Sequence, residues 1–230
     1  LGMVCLLSIV GACTDTVKGG ADNSPRLTLN DTSVIVGKLA EGGRTESFLG
    51  VPFAQPPVGD LRWAPPQPLA KPSAIAQKNE FPAACMQGDH IAKWYKNVAA
   101  GFGGDPELIK HPEVSEDCLY LNIWRPATEA QSAEMLPVIV YIHGGSNKGG
   151  WSYEPNYIGH NLASKGVIVI SIAYRLGVFG FFSHPSLEHS NFGLLDQVAA
   201  LQWVNDNIIA LRGDAEKITV MGESAGANNI

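Results

Sequence analysis

The last thirteen residues, 218–230, read ITVMGESAGANNI and hold Ser224 between Gly222 and Gly226 in a Gly-x-Ser-x-Gly pattern. A serine hydroxyl is a weak nucleophile until a neighbouring base takes its proton. Mounted on a sharp turn from strand to helix, it is lifted above the sheet edge, and the turn is so crowded that both glycine positions need small residues. The apolar, β-branched run KITVMG just before it predicts the strand, and a helix is expected to start at Ser224 or Ala225. A second stretch, VIVYIHGGSNKGG at 138–150, ends another predicted strand in His143-Gly144-Gly145-Ser146. Adjacent glycines let backbone N–H groups turn into a cavity, and acyl transfer needs donors aimed at the oxyanion of its tetrahedral intermediate. The amides of Gly145, Ser146 and Ala225 are the candidates for that oxyanion hole, with Ser224 as candidate nucleophile. The bland alternative for 144–146 is a plain glycine-rich turn.

Positioning such a site takes a sheet. CLYLNIW (118–124), LPVIVYIHGG (136–145), GVIVISIAYR (166–175) and KITVMG (217–222) are continuous apolar runs of strand length, the pattern of strands covered on both faces. Between the last two lies GLLDQVAALQWVNDNIIAL, where Leu194, Val198, Leu201 and Ile208 share one predicted helical face with Leu195 and Val204 beside it. Strand, helix, strand with one buried face is a βαβ crossover, so an α/β fold with a largely parallel sheet is expected. Upstream, RLTLN, SVIVGKL and SFLGVPFA predict short strands, and the proline-rich 54–68 must be extended. Residues 85–117 read as a long irregular loop.

The chain has 230 residues, 45% of them hydrophobic and 17% charged, with a net charge of −6. That composition fits a packed core and argues against disorder. Without a basic run, nucleic acid is not an expected partner. Without 18 consecutive apolar residues, no membrane-spanning helix is expected. The start, LGMVCLLSIVGAC, reads as the surviving part of an export signal. Its VGAC ending resembles a bacterial lipoprotein cleavage box, which makes Cys13 a candidate for lipidation and so for membrane anchoring, on an exported bacterial protein; an ordinary secretory signal or a buried apolar segment is the alternative. The expected organisation is a partial signal over 1–13, a polar linker over 14–25, and a domain portion over 26–230. Cys85 and Cys118, 33 residues apart, either form a disulfide, which an exported protein can keep, or stay as buried thiols. Neither spacing nor a cysteine pair suggests a metal.

With these features in place, the chain resembles the N-terminal part of a type-B carboxylesterase, the family of cholinesterases and para-nitrobenzyl esterases. Six ordered segments carry the likeness: FLGVPFAQPPVGDLRW, EDCLYLNIWRP, YIHGG, AYRLGVFGF, NFGLLDQVAALQWVNDNI and GDAEKITVMGESAGA. The resemblance implies an α/β-hydrolase fold, here incomplete, with the C-terminal part of the central sheet missing. It implies ester hydrolysis through an acyl-serine at Ser224, a small-molecule ester substrate and no cofactor. It also implies a Cys85–Cys118 disulfide and two buried ion pairs, Arg62 with Glu116 and Arg175 with Asp196. Where the family usually has Gly or Ala and then an aromatic, this sequence has Ser146 and Asn147, so a more polar pocket wall is expected. Trp94 is read as a packed or rim aromatic. In α/β-hydrolases the acid and the histidine follow the nucleophile. All six histidines (His90, His111, His143, His160, His184, His189) precede Ser224, so the partners are expected beyond residue 230 and the chain alone is expected to be inactive. The competing readings are a non-catalytic, cholinesterase-like adhesion protein, or an amidase or lactonase on the same fold.

Overall fold

A computed structural model describes residues 24–40, 42–70, 75–127 and 134–230. The signal segment with Cys13, and nearly all of the expected linker, lie outside the described residues.

In chain order the strands are β1 (Arg26–Thr28), β2 (Val34–Val36), β3 (Lys38–Leu39), β4 (Thr45–Pro52), β5 (Ile75–Gln77), β6 (Ala84–Cys85), β7 (Val114–Ser115), β8 (Tyr120–Pro126), β9 (Leu136–Ile142), β10 (Ile168–Ile172) and β11 (Gly213–Gly222). The α-helices are α1 (His90–Gly101), α2 (His160–Ala163), α3 (Gly177–Phe181), α4 (Phe192–Asn207) and α5 (Ala225–Asn228). Six strands form the main sheet in the order β11-β9-β10-β8-β4-β3. Its spine is the set of apolar runs foreseen from the sequence. Ile168, Ile170 and Ile172 of β10 pack with Leu121 and Ile123 of β8 and with Val138, Val140 and Ile142 of β9 in one buried core. Trp124 and Val169 point to the opposite face and pack with Ala163 of α2, so the middle of the sheet is covered on both sides.

Three expectations need correction. The described sheet is mixed: β11, β9 and β10 run parallel, but β10–β8, β8–β4 and β4–β3 are antiparallel. Within this sheet, among the described residues, only β9, β10 and β11 are joined by helical crossovers, and only a crossover returns the chain to the same end. Second, 85–117 is not irregular: it holds α1, whose twelve residues bury only Ala92 and Tyr95. A stripe that narrow leaves little apolar periodicity to read, and the glycines at 101, 103 and 104 dominate the local signal. Third, α4 buries Gly193, Asp196, Gln197, Ala200 and Val204 and leaves Val198 exposed. Its buried face also holds Phe192 and Asn207, and Ile208 just beyond it is buried as expected, but the middle of the face is made of small and polar residues rather than the leucines.

Candidate active site

β9 and β11 are parallel neighbours with Gly222 opposite Ile142. Both chains therefore leave the sheet at the same end, and Glu223–Ser224 must emerge beside His143–Gly144. The Glu223 N–H donates to the Ile142 carbonyl at 3.3 Å. The chain then reverses: the Gly226 N–H donates to Glu223 C=O at 2.8 Å and the Asn228 N–H to Ser224 C=O at 3.1 Å, opening α5 at Ala225. Ser224 is the turning residue, with φ 50° and ψ −118°. Such a conformation costs an L-residue about 1–3 kcal/mol and survives only where the surroundings fix it. The flanking glycines are part of that fixing. A Cβ at Gly226 would lie 2.2 Å from the Ile142 carbonyl oxygen, and one at Gly222 would lie 2.5 Å from the Ala227 nitrogen.

The loop after β9 closes on itself through the N–H groups of Lys148 and Gly149, which donate to Gly145 C=O at 3.0 and 3.1 Å. Gly145, Ser146 and Asn147 all have positive φ, at 96°, 57° and 56°. Gly144 touches the elbow: a Cβ there would sit 3.0 Å from Ser224 Cβ. The expected residues thus share one end of the sheet. Among the described residues, the N–H groups of Gly145, Ser146 and Ala225 have no hydrogen-bond acceptor. Ser224 itself is exposed.

His143 is fully buried behind this loop. It stacks on Tyr174 with ring centroids 4.5 Å apart, and its Nδ1–H donates to Gly144 C=O at 2.9 Å. Burial brings its pKa down to about 4, so the ring is neutral near pH 7 and serves the loop's shape. Tyr174 Oη donates to His143 C=O at 2.8 Å. Asn147 Oδ1 accepts from Asn229 Nδ2 at 3.1 Å, and Asn147 Nδ2 donates back to Asn229 Oδ1 at 3.4 Å. The polarity expected at Asn147 is therefore largely spent inside the protein, bracing the glycine loop against the end of α5. Asn229 was not singled out from the sequence, and a lone Asn five residues after a serine carries no signal that could do so. Among the described residues no side chain hydrogen-bonds the Ser224 hydroxyl.

The supports divide. Cys85 and Cys118 form the disulfide. Arg175 meets Asp196 through Nε–Oδ2 and Nη2–Oδ1 bonds of 2.8 Å each, both side chains being buried. Burial pushes the Asp196 carboxyl up, while the guanidinium and the Arg175 N–H pull it back. Arg175 also donates to Arg62 C=O at 2.9 Å. Arg62 and Glu116 pair as foreseen, at 2.5 and 2.7 Å, but their side chains are 39% and 23% exposed. This is a partly exposed pair, not the buried support expected. A further buried pair, Arg125 with Glu46 at 2.5 Å, escaped the sequence; it arises from direct cross-strand register between β8 and β4. Trp94 lies on the exposed side of α1, edge-on to Tyr95 at 4.9 Å.

A sequence model of the carboxylesterase family matches residues 27–230. The chain belongs to the carboxylesterase family. It is 42% identical to the fumonisin B1 esterase of Sphingopyxis macrogoltabida over 193 residues, which are 81% of this chain and 33% of that protein. It is also 42% identical to liver carboxylesterase 1F of Rattus norvegicus over 236 residues, 99% of this chain and 40% of the relative. Among solved structures a PNB esterase superposes with a TM-score of 0.77 at 34% identity, covering 90% of this chain and 40% of that one. The carboxylesterase chain described here thus has the α/β-hydrolase fold in part, and spans about a third to two fifths of the length of these relatives.

Proposed function

We propose that the full-length protein containing this chain hydrolyses small carboxylic esters through an acyl-enzyme on Ser224. Ser224 Oγ attacks the ester carbonyl carbon, and its proton passes to a histidine supplied from outside residues 1–230. The carbonyl oxygen becomes an oxyanion that accepts from the N–H groups of Gly145, Ser146 and Ala225. Collapse expels the alcohol, which takes the proton; water then attacks the acyl-serine by the same route and releases the acid. No cofactor enters these steps. The observation that carries the reading is the strained Ser224 elbow beside three amides with no acceptor. Relatives named as esterases support the reaction class.

The test is labelling of the full-length protein by a fluorophosphonate, alongside hydrolysis of p-nitrophenyl esters. Ser224→Ala should lose both, with a fall in kcat of about 10⁴-fold or more. Full activity in that variant, or an unlabelled wild type, would sink the proposal. The Cys85–Cys118 disulfide supports export, since reducing compartments rarely keep one. Lipidation at Cys13 belongs to the same proposal, and failure of the full-length protein to incorporate labelled palmitate would remove it.

A further inference from the structure

The loop that carries Gly145 and Ser146 is held from outside by the segment closed by the Cys85–Cys118 disulfide. Gln87, two residues after Cys85, faces the backbone of Gly150. Its Oε1 accepts from the Gly150 N–H at 2.7 Å, and its Nε2 donates to the Gly150 C=O at 2.6 Å. One side-chain amide thus satisfies both backbone groups of a buried residue. Nε2 also donates to Cys85 C=O at 3.1 Å, so two carbonyls fix which end of the amide is nitrogen. Two further ties reinforce this one. The first turn of α1 packs on Gly149, where a Cβ would lie 2.5 Å from a His90 ring carbon. Tyr95 Oη donates to buried Glu154 at 2.6 Å, and Glu154 accepts from the Trp151 N–H at 3.0 Å.

Between Gly150 and the site the chain has no slack. The Gly149 N–H closes on Gly145 C=O, and Gly145 Cα packs so tightly that a Cβ there would be 2.1 Å from the Gly149 carbonyl oxygen. A displacement of Gly150 therefore moves Gly145 and its N–H. We propose that Gln87 is a positioning residue for the oxyanion-binding amides, through which the disulfide loop sets the alignment of the Gly145–Ser146 donors. The inference rests on the ester-hydrolase reading above. Its cost on removal should appear in the transition state, because the oxyanion is fully charged only there. Loss of one well-aligned donor costs about 10²–10³-fold in kcat, so misalignment of the loop should cost roughly 10- to 100-fold.

The experiment compares wild-type full-length protein with Gln87→Met, which keeps the length without polar atoms, and Gln87→Glu, which keeps the acceptor but sets an oxygen against Gly150 C=O. With p-nitrophenyl butyrate, kcat should fall about 10- to 100-fold while KM stays within about twofold. Affinity for a trifluoromethyl ketone, which adds to the serine as a tetrahedral oxyanion, should fall by a similar factor. If Gln87→Met does not unfold cooperatively, Gln87→Glu decides by the same two readouts. Folded variants with kcat and ketone affinity within twofold of wild type would overturn the clamp, as would a loss confined to KM. A wild type that neither hydrolyses ester nor labels at Ser224 would instead overturn the esterase reading, and the positioning role with it.

Discussion

At the scale of single residues, the site is a set of backbone conformations that side chains tolerate at a cost. Ser146 sits at φ 57° without the freedom of a glycine. An L-residue in that region costs roughly 1 kcal/mol. Ser146→Gly should therefore stabilise the full-length protein by about 0.5–1 kcal/mol in denaturant unfolding while keeping the Ser146 amide. A loss of stability would mean that the serine hydroxyl repays its backbone strain. His143 gives a second prediction. Its pKa falls from 6.5 to about 4 on folding, so between those values the unfolded state binds the extra proton. Stability from this group is full above about pH 6.5 and is lost as pH falls toward 4, by on the order of 3 kcal/mol. Urea midpoints from pH 7 to pH 4 should fall less steeply in His143→Gln than in wild type; parallel curves would assign the acid sensitivity elsewhere. What the sequence disclosed at this scale was the residues whose chemistry needs a special backbone: Ser224 with its glycines, and Gly144–Gly145. What it hid were partners chosen by three-dimensional proximity. Gln87, Glu154 and Asn229 are ordinary polar residues until Gly150, Tyr95 and Asn147 are brought against them.

At the scale of elements, legibility followed burial on both faces. β8, β9, β10 and the start of the elbow were plain because continuous β-branched runs have few other readings. α1 and the inner face of α4 were not, because one buries two residues and the other buries Gly193, Asp196, Gln197 and Ala200 where an apolar stripe is expected. The reason for the polar face of α4 is the Arg175–Asp196 pair, which fastens the helix to the end of β10. Two charges taken out of water are tolerable only together. Arg175→Met leaves Asp196 buried without its cation and should cost the full-length protein about 3–5 kcal/mol. Arg175→Met combined with Asp196→Leu should recover much of that. A single variant as stable as wild type would show that Asp196 is protonated or hydrated in the fold. Arg62→Met, by contrast, removes an exposed partner and should change the unfolding midpoint little.

At the scale of the whole molecule, β11 is the outer strand of the main sheet, and it carries Ser224 at its end. Only β9 pairs with it among the described residues, so the other edge of a ten-residue strand presents unpaired backbone donors and acceptors. Lys217 stands on that strand, but Thr219 and Met221 are exposed beyond it with no charge between them and the elbow. An open edge of this length is a template for another strand. The 230-residue chain expressed by itself should therefore associate, eluting well above 24.5 kDa in a concentration-dependent way. Thr219→Lys, which places a charge between Lys217 and the elbow, should shift it toward the monomer. The same chain should give no burst of nitrophenol from a p-nitrophenyl ester, because among the described residues no side chain hydrogen-bonds the Ser224 hydroxyl. The two measurements separate cleanly: a monodisperse 24.5 kDa species would show that the edge is protected from within the chain, and a stoichiometric burst would show that the elbow and its three amides activate the serine without an added histidine.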